Sequence, residues 1–368
     1  MKALLVGYYG ARNLGDDMML FCLSRWLRRQ DINVTVVSEN PQDTQQRFGL
    51  PAVQNAPLLF EWGWKYYWGQ GVAANLLRAI KRHEALIVGG GDLIRDDRGW
   101  RTFLYTVEKV VVALLLRKPV YMVNIGIRCP THGYSAKILP RLLSRCQYII
   151  ARDESTYNYA KVCAPGKVNL LPDIATLLPY YLGTEKMNKQ CIQQTLRVCL
   201  RQNPDAFACY PFGQQAVQSL AQALDEIIAH ESLRIVFTPF QCGDEQDNEL
   251  HAQVRECMRC QDATLIEDWE GDLRVVAERF ATTRAVLAMR LHAGVLSVAT
   301  ETPCAMMPYD RKVREFAQQA GIETLIETVD LLHPERVITK VRTLFKDTVS
   351  RSTILDEALQ WVHTSLRA

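Results

Sequence analysis

The sequence has no long apolar run. The longest, Val110–Leu116, stops at Arg117, Lys118 and Pro119, far short of the ~20 residues that span a bilayer. It has no surplus of either charge: 43 Lys and Arg stand against 40 Asp and Glu, a formal net charge of +3 over 368 residues. That argues against a protein that coats nucleic acid and leaves room only for a local basic groove. There is no disulfide framework. The 11 cysteines, an odd number, scatter from Cys22 to Cys304 without regular spacing, the pattern of reduced thiols in a cytoplasmic protein. Cys257 and Cys260 form one CxxC. Zinc needs a second ligand pair, which His251 alone does not supply, so no metal site is expected. The apolar start, Met1–Tyr9, breaks at Gly7, too soon for the apolar region of a signal peptide, and reads as a first strand. These absences predict a cytoplasmic protein, with peripheral contact at the inner face of the cell membrane left open.

Hydrophobic residues make up 48% and charged residues 23%, ordinary for a globular chain, and the length suits two domains. Short β-rich runs alternate with helical patterns throughout. Strands are predicted at Lys2–Val6, Asn33–Ser38, Ala85–Val88, Val120–Ile125 and Tyr148–Ala151. A second set follows at Leu196–Leu200, Arg234–Thr238, Thr264–Glu267, Ala285–Ala288 and Cys304–Met307. Helical patterns lie between them, and alternation of this kind predicts parallel sheets with right-handed crossovers. Pro172, Pro179, Gly183 and the polar run Thr184–Gln190 place a boundary near 183–190. The expected organisation is α/β: one Rossmann-like domain over 1–183, a second over 190–346, and a C-terminal helix over 350–368. Two such domains facing each other would hold a ligand in the cleft at the carboxyl ends of their strands.

Five loops carry candidate chemistry. The first strand runs through Gly7, Gly10, Asn13 and Gly15 into Asp16 and Asp17. The spacing is not GxGxxG and no Walker lysine follows, which disfavours a dinucleotide oxidoreductase. The two carboxylates either cap the next helix or bind a substrate hydroxyl. Gly89, Gly90 and Gly91 follow another strand and predict close approach of a ligand or of a neighbouring domain's backbone. Glu61–Trp68 holds three of the seven Trp, read either as core aromatics of a long connection or as a platform for sugar or membrane. Arg152 stands at a strand end, placed to grip a carboxylate or phosphate, with a surface pair to Asp153 as the alternative. The densest cluster is Arg290, His292, Tyr309, Asp310 and Lys312, which suits an oxygen-rich anion with a proton donor beside it.

Taken together, these residues resemble the polysaccharide pyruvyl transferase family over roughly Lys2 to Gly321. Gly7, Tyr8, Gly10, Asn13, Gly15 and Asp16 match the family's opening loop, and Gly89–Gly91 with Leu93 match its second glycine loop. Arg152, Asp153 and Ser155 match an Arg-Asp-x-Ser motif. Arg290-Leu291-His292-Ala293, Pro303, Tyr309-Asp310, Lys312-Val313 and Phe316 form the strongest match. The chain departs at Asn124–Pro130, where the family often has a Gly-x-Gly-Ile-Gly-Pro stretch, and at Thr300–Thr302, which lacks the usual Gly.

The resemblance implies a GT-B-like fold and transfer of the enolpyruvyl unit of phosphoenolpyruvate, as co-substrate, onto a glycan sugar as a ketal. No other cofactor is expected. The acceptor would be a cell-wall or exopolysaccharide precursor, lipid-linked where the protein works at the membrane. His292 is the expected general acid, or the group that stabilises the leaving phosphate, Lys312 and Arg152 the donor-binding cations, and Asp16 the group that binds or activates the acceptor hydroxyl. Arg290, Gly10, Asn13, Gly15, Gly89–Gly91, Tyr309 and Asp310 are expected to line the substrate, with orienting its own loop as the alternative role for Arg290. The alternatives are a nucleotide-sugar glycosyltransferase on the same plan and a non-catalytic glycan-binding homologue.

Overall fold

A computed structural model describes residues 1–59, 64–97, 99–128, 132–184, 192–202, 213–243, 246–346 and 352–366. The chain divides into two compact units. The first comprises 1–11, 16–174 and 357–368, and the second 12–15 and 175–356.

The first unit is built on a sheet of seven strands: β1 Lys2–Tyr9, β2 Asn33–Ser38, β3 Ala52–Gln54, β4 Ala85–Ile94, β5 Val120–Ile127, β6 Tyr148–Ala151 and β7 Val168–Leu170. Their order is β3-β2-β1-β4-β5-β6-β7, and every described pairing is parallel. Parallel sheets of this kind are covered on both faces, so their strands read as continuous apolar runs. Leu4, Val6, Val88, Met122 and Ile125 lie fully buried in that core, each side chain contributing about 1.5–3 kcal/mol relative to exposure.

The second unit has five strands: β8 Gln193–Cys199, β9 Arg234–Phe237, β10 Thr264–Ile266, β11 Thr283–Ala288 and β12 Cys304–Met306. They run parallel in the order β10-β9-β8-β11-β12. Both sheets are doubly wound: the order reverses once, next to the first strand of each unit. The α/β class and the parallel sheets predicted from the alternation are therefore present.

Three details differ from the sequence expectation. β4 does not stop at Val88 but continues through the glycines to Ile94. Gly90 and Gly91 have φ of 77° and 99°, and a Cβ on Gly89 would press into Leu23. The close approach these glycines permit is by Tyr9, Met19 and Leu23 of their own unit. The short edge strands β3 and β7 were not predicted; at three residues each and half-buried, they carry no periodic signal. The single C-terminal helix is replaced by two short ones, Thr353–Ala358 and Gln360–His363; residues 350, 351, 367 and 368 of that prediction lie outside the described residues.

The unit division falls at Ile174–Ala175, and the chain end returns to the first unit. There the buried Trp361 packs edge-on against Trp26 at 5.0 Å, and its indole N–H donates to the Pro172 carbonyl at 2.8 Å. Among the described residues no helix is long and apolar enough to cross a membrane.

Candidate functional site

In the second unit the strand order reverses between β8 and β11. Ligands of doubly wound sheets sit outside the carboxyl ends of the strands at such a point. Here the backbone N–H groups of Met289 and Arg290 both donate to the Cys199 carbonyl, at 2.9 and 3.3 Å, which ties the two strand ends together. The helix Leu291–Ala299 starts directly after β11, and the helix Arg311–Ala320 follows β12. Both present the positive end of their backbone dipole on this side of the sheet.

Arg290 caps the first of these helices in an extended conformation. Its guanidinium is buried and clasps Asp247, with Nε at 3.0 Å from Oδ2 and Nη2 on Oδ1. Asp247 is fully buried and also accepts the N–H groups of Phe240 and Gln241, at 2.9 and 3.0 Å. Of the two roles open to Arg290, gripping substrate or orienting the loop, this geometry favours the second. One carboxylate locks the strand end to the 240–241 turn through a bidentate pair.

The buried His251 lies one helical turn after Asp247. Its Nε2 accepts the Leu200 N–H at 3.1 Å, and its Nδ1 lies 2.9 Å from Asn248 Oδ1, so the proton sits on Nδ1. Burial, aided by the Arg290 charge, holds its pKa down to about 3. Its neutral form holds the exit of β8 in place. Because the folded value lies below the ordinary 6.5, stability from this site is complete above pH 6.5 and is lost as pH falls toward 3. His251→Gln keeps a donor and an acceptor but does not titrate. The variant is expected to lose part of the wild type's acid sensitivity between pH 6.5 and 3 in urea melts. Superimposable pH profiles would contradict the assignment.

The opening loop Arg12–Gly15 belongs to this second unit. Leu14 N–H donates to the Phe240 carbonyl at 2.8 Å and Cys242 N–H to the Arg12 carbonyl at 3.2 Å. Asn13 Nδ2 donates to the Gln241 side chain, and Arg12 lies 6.0 Å from the Trp269 ring centroid. A Cβ on Gly15 would overlap the His292 imidazole at Nδ1. Gly15 therefore serves as the surface on which His292 rests, and Asn13 ties that surface to the 240–242 turn. Gly15→Ala would push the imidazole aside while leaving the core untouched. A shift near 1 Å in a catalytic group costs on the order of 100-fold in rate. The turnover number is expected to drop by about that factor with little change in melting temperature; full activity in the variant would separate His292 from the chemistry.

Tyr309, Lys312 and Arg201 complete the cluster. Arg201 Nη1 donates to Tyr309 Oη, and the guanidinium also lies 4.9 Å from the Tyr309 ring centroid. Burial raises the phenol's pKa, but Lys312, Arg201 and Arg290 together outweigh it and hold the value below its ordinary one. Asp310 caps the helix Arg311–Ala320 by accepting the Lys312 N–H at 3.2 Å.

The remaining predicted residues lie in the first unit. Arg152 follows β6 and is buried between two carboxylates, with Nη2 on Asp92 and Nη1 3.3 Å from Asp173. Burial opposes its charge, yet Asp92, Asp173 and Asp153 raise its pKa further. Its charge is thus matched within the unit. Asp153 caps the next helix at Thr156 N–H, 2.7 Å away. Gly126 makes room for the Asp92–Arg152 pair, since a Cβ there would overlap Asp92 Oδ1. Asp16 lies beside Gly91. Asp17 is buried against Arg47 at 2.8 Å, and burial pushes its carboxyl up to about 6.

Gly10 has φ 78° and lies against Ser38. Of the aromatic stretch, residues 60–63 lie outside the described residues. Trp68 donates to the Leu58 carbonyl at 3.1 Å and packs on the core, while Tyr66 is 66% exposed.

The sequence reading missed Asp247 and Arg201 and weighed His251 only as a zinc ligand. Arg201 carried the signal that singled out Arg152, a cation just past a strand. Asp247 and His251 carried none, because their meaning depends on partners 43 and 51 residues away. Among the described residues no group of three or more His, Cys, Asp and Glu is arranged to hold a metal ion.

Two doubly wound parallel units joined in one chain define the GT-B class of fold. UDP-GlcNAc 2-epimerase from Methanocaldococcus jannaschii superposes with a TM-score of 0.67 at 14% identity, covering 99% of each chain. The enzyme of the same name from Neisseria meningitidis, bound to UDP-GlcNAc, gives 0.64 at 12% identity, over 97% of this chain and 94% of that one. Anabaena HepE in complex with UDP-glucose gives 0.58 at 13%, over 98% and 94%. At these identities the likeness is one of fold. No curated protein matches the sequence. The polysaccharide pyruvyl transferase family model matches residues 13–311: the chain belongs to that family of transferases.

Proposed function

We propose that this protein transfers the enolpyruvyl group of phosphoenolpyruvate to a sugar of a cell-surface glycan precursor, forming a pyruvate ketal and releasing phosphate. The observation that supports it most is the cation cluster after β8 and β12, where Arg201 Nη1 donates to Tyr309 Oη and the guanidinium lies 4.9 Å from the ring centroid. Positive potential concentrated there also holds the phenol below its ordinary pKa. Lys312, Arg201 and two helix starts supply that potential at the reversal of strand order, where a donor bearing a carboxylate and a phosphate would bind.

In the proposed reaction His292 delivers a proton to the methylene carbon, and positive charge develops at the carbon that bears the phosphate. A sugar hydroxyl bonds to that carbon, the carbon–oxygen bond to phosphate breaks, and a second hydroxyl closes the ring. Of the two hydroxyl protons lost, one replaces the proton given by His292 and one leaves with phosphate. Lys312 and Arg201 hold the donor's anionic ends. Arg290 positions the His292 helix through Asp247, and Asp16 binds or activates an acceptor hydroxyl. Arg152 positions the Asp92 loop of the first unit.

Thermal-shift titration tests the donor. Phosphoenolpyruvate at 100 times its Kd is expected to stabilise the protein by about 2.7 kcal/mol, with UDP-GlcNAc giving no shift. Stabilisation by UDP-GlcNAc alone would replace this reading with that of a nucleotide-sugar transferase.

A further inference from the structure

The near-neutral charge of the whole chain conceals a split. The residues of the first unit include 23 Lys and Arg against 15 Asp and Glu, and those of the second 20 against 25. Charge asymmetry of this kind between two halves of a chain points to a partner of opposite sign.

The surplus has a place in the fold. In a parallel sheet with crossover helices, the last turn of each helix lies at the amino ends of the strands, away from the ligand side. The helices Val72–Arg82, Trp100–Leu115, Gly133–Leu143 and Glu154–Cys163 pack side by side in that order on the first unit's sheet. Their last turns and the loops that follow carry Lys81, Arg82, Arg117, Arg141, Arg145 and Lys161, all exposed. Among the described residues of these turns and loops Glu84 is the single carboxylate, and it accepts the backbone N–H of Lys2.

Complementing the helix dipole explains a cation in a last turn, but that holds equally for both units. At the amino-end side of the second unit's own sheet the cations are matched: Arg259 meets Asp225 and Glu226, and Arg284 and Arg342 both meet Glu231. The first unit's row lacks such carboxylates, and its charge is left to face outward.

Two apolar side chains stand in the same row. Leu115 is 76% exposed and Val162 83%, the two highest values among the large hydrophobic residues described. Leu115 ends its helix two residues before Arg117, and Val162 follows Lys161. One exposed leucine is ordinary; the two extremes of the chain set between unmatched cations are not. Cations meet the phosphates of lipid headgroups, while apolar tips reach the boundary with the acyl chains. A surface for nucleic acid would use the charge but has no need of the leucine and valine.

We infer that the amino-end face of the first unit docks on an anionic phospholipid bilayer, with Leu115 and Val162 entering the headgroup region. Asp92 and Arg152 lie toward the carboxyl ends of the same strands, so docking leaves them turned to the water. The inference stands independently of pyruvyl transfer.

Vesicle co-sedimentation of the full chain tests it. One set of vesicles is phosphatidylcholine alone and the other contains about one-third phosphatidylglycerol, which gives the surface a negative potential. Binding is expected only to the anionic set, weakening as salt rises toward about 1 M, where screening shortens to about 3 Å. Arg82→Gln, Arg117→Gln and Arg145→Gln together remove three surface cations. Each contributes about a fivefold change in binding, so the triple variant is expected to bind about 100-fold more weakly. Leu115→Ser with Val162→Ser keeps the charge and is expected to bind about tenfold more weakly, because less apolar area leaves water. All five side chains are exposed, so melting temperatures should hold. No preference for the anionic vesicles, or undiminished binding by the triple variant, overturns the docking surface. Full vesicle binding by the serine variant, or tighter binding to a short DNA duplex than to the anionic vesicles, overturns its assignment to lipid.

Discussion

Asp247→Ala is expected to cost about 3–5 kcal/mol, the range for removing one partner of a buried ion pair, against a total stability of about 5–15 kcal/mol for an ordinary domain. The carboxylate is fully buried and serves three donors: the Arg290 guanidinium and the N–H groups of Phe240 and Gln241. Alanine strands all three, and a charge left in a dry site is the largest part of the loss. Asp247→Asn retains an acceptor but not the charge and should fall between wild type and alanine. Adding Arg290→Leu to Asp247→Ala removes the stranded charge, so the double variant should be more stable than the alanine variant alone. Urea unfolding of wild type, Asp247→Ala, Arg290→Leu alone and the double variant closes the cycle. With two units in the chain, two probes are needed to establish that the transition is read in the second unit. A double variant no more stable than Asp247→Ala would mean that the Arg290 charge is not what the aspartate neutralises.

The fold was legible where physics is local. β2 and β6 were predicted to the residue, because buried parallel strands announce themselves as β-branched and apolar runs between polar turns. The edge strands β3 and β7 were not, since a three-residue, half-buried edge has no period to detect. β4 misled for a different reason. Gly89–Gly91 interrupts the apolar run, and glycine normally weakens a strand, yet Tyr9 and the helix Leu14–Arg28 pack so closely on it that only glycine fits. That need is set by neighbours some 70–80 residues away in sequence, which no window along the chain can register.

The site followed the same rule. The sequence pattern located the cations past strand ends, but whether a cation is available to a ligand depends on its partners. Arg152 is matched by Asp92 and Asp173, and Arg290 by Asp247. Arg201, overlooked in the sequence, joins Lys312 in lowering the Tyr309 pKa.

The last expectation concerns Lys312 and His292, the residues on which the proposed chemistry depends most. Removing one preorganised charge from a site that stabilises developing charge costs on the order of 100- to 1,000-fold in rate, or about 2.7–4 kcal/mol. Lys312→Ala is expected to reduce kcat/KM for phosphoenolpyruvate by that factor, measured as phosphate release with acceptor present. His292→Ala should reduce kcat with little change in the donor's KM, because a proton donor acts on the transition state and the lysine on both states. Both side chains lie at helix starts outside the apolar core, so melting temperatures should change little. Lys312 has a second, non-kinetic readout. Its charge is the largest single contribution lowering the Tyr309 phenol, so Lys312→Ala should raise that pKa, seen as the difference between its ultraviolet titration and that of a Lys312→Ala, Tyr309→Phe double variant. Full activity in Lys312→Ala would remove it from donor binding even if the phenol shifts. An unshifted phenol would show that Arg201 and Arg290 alone set the field at Tyr309.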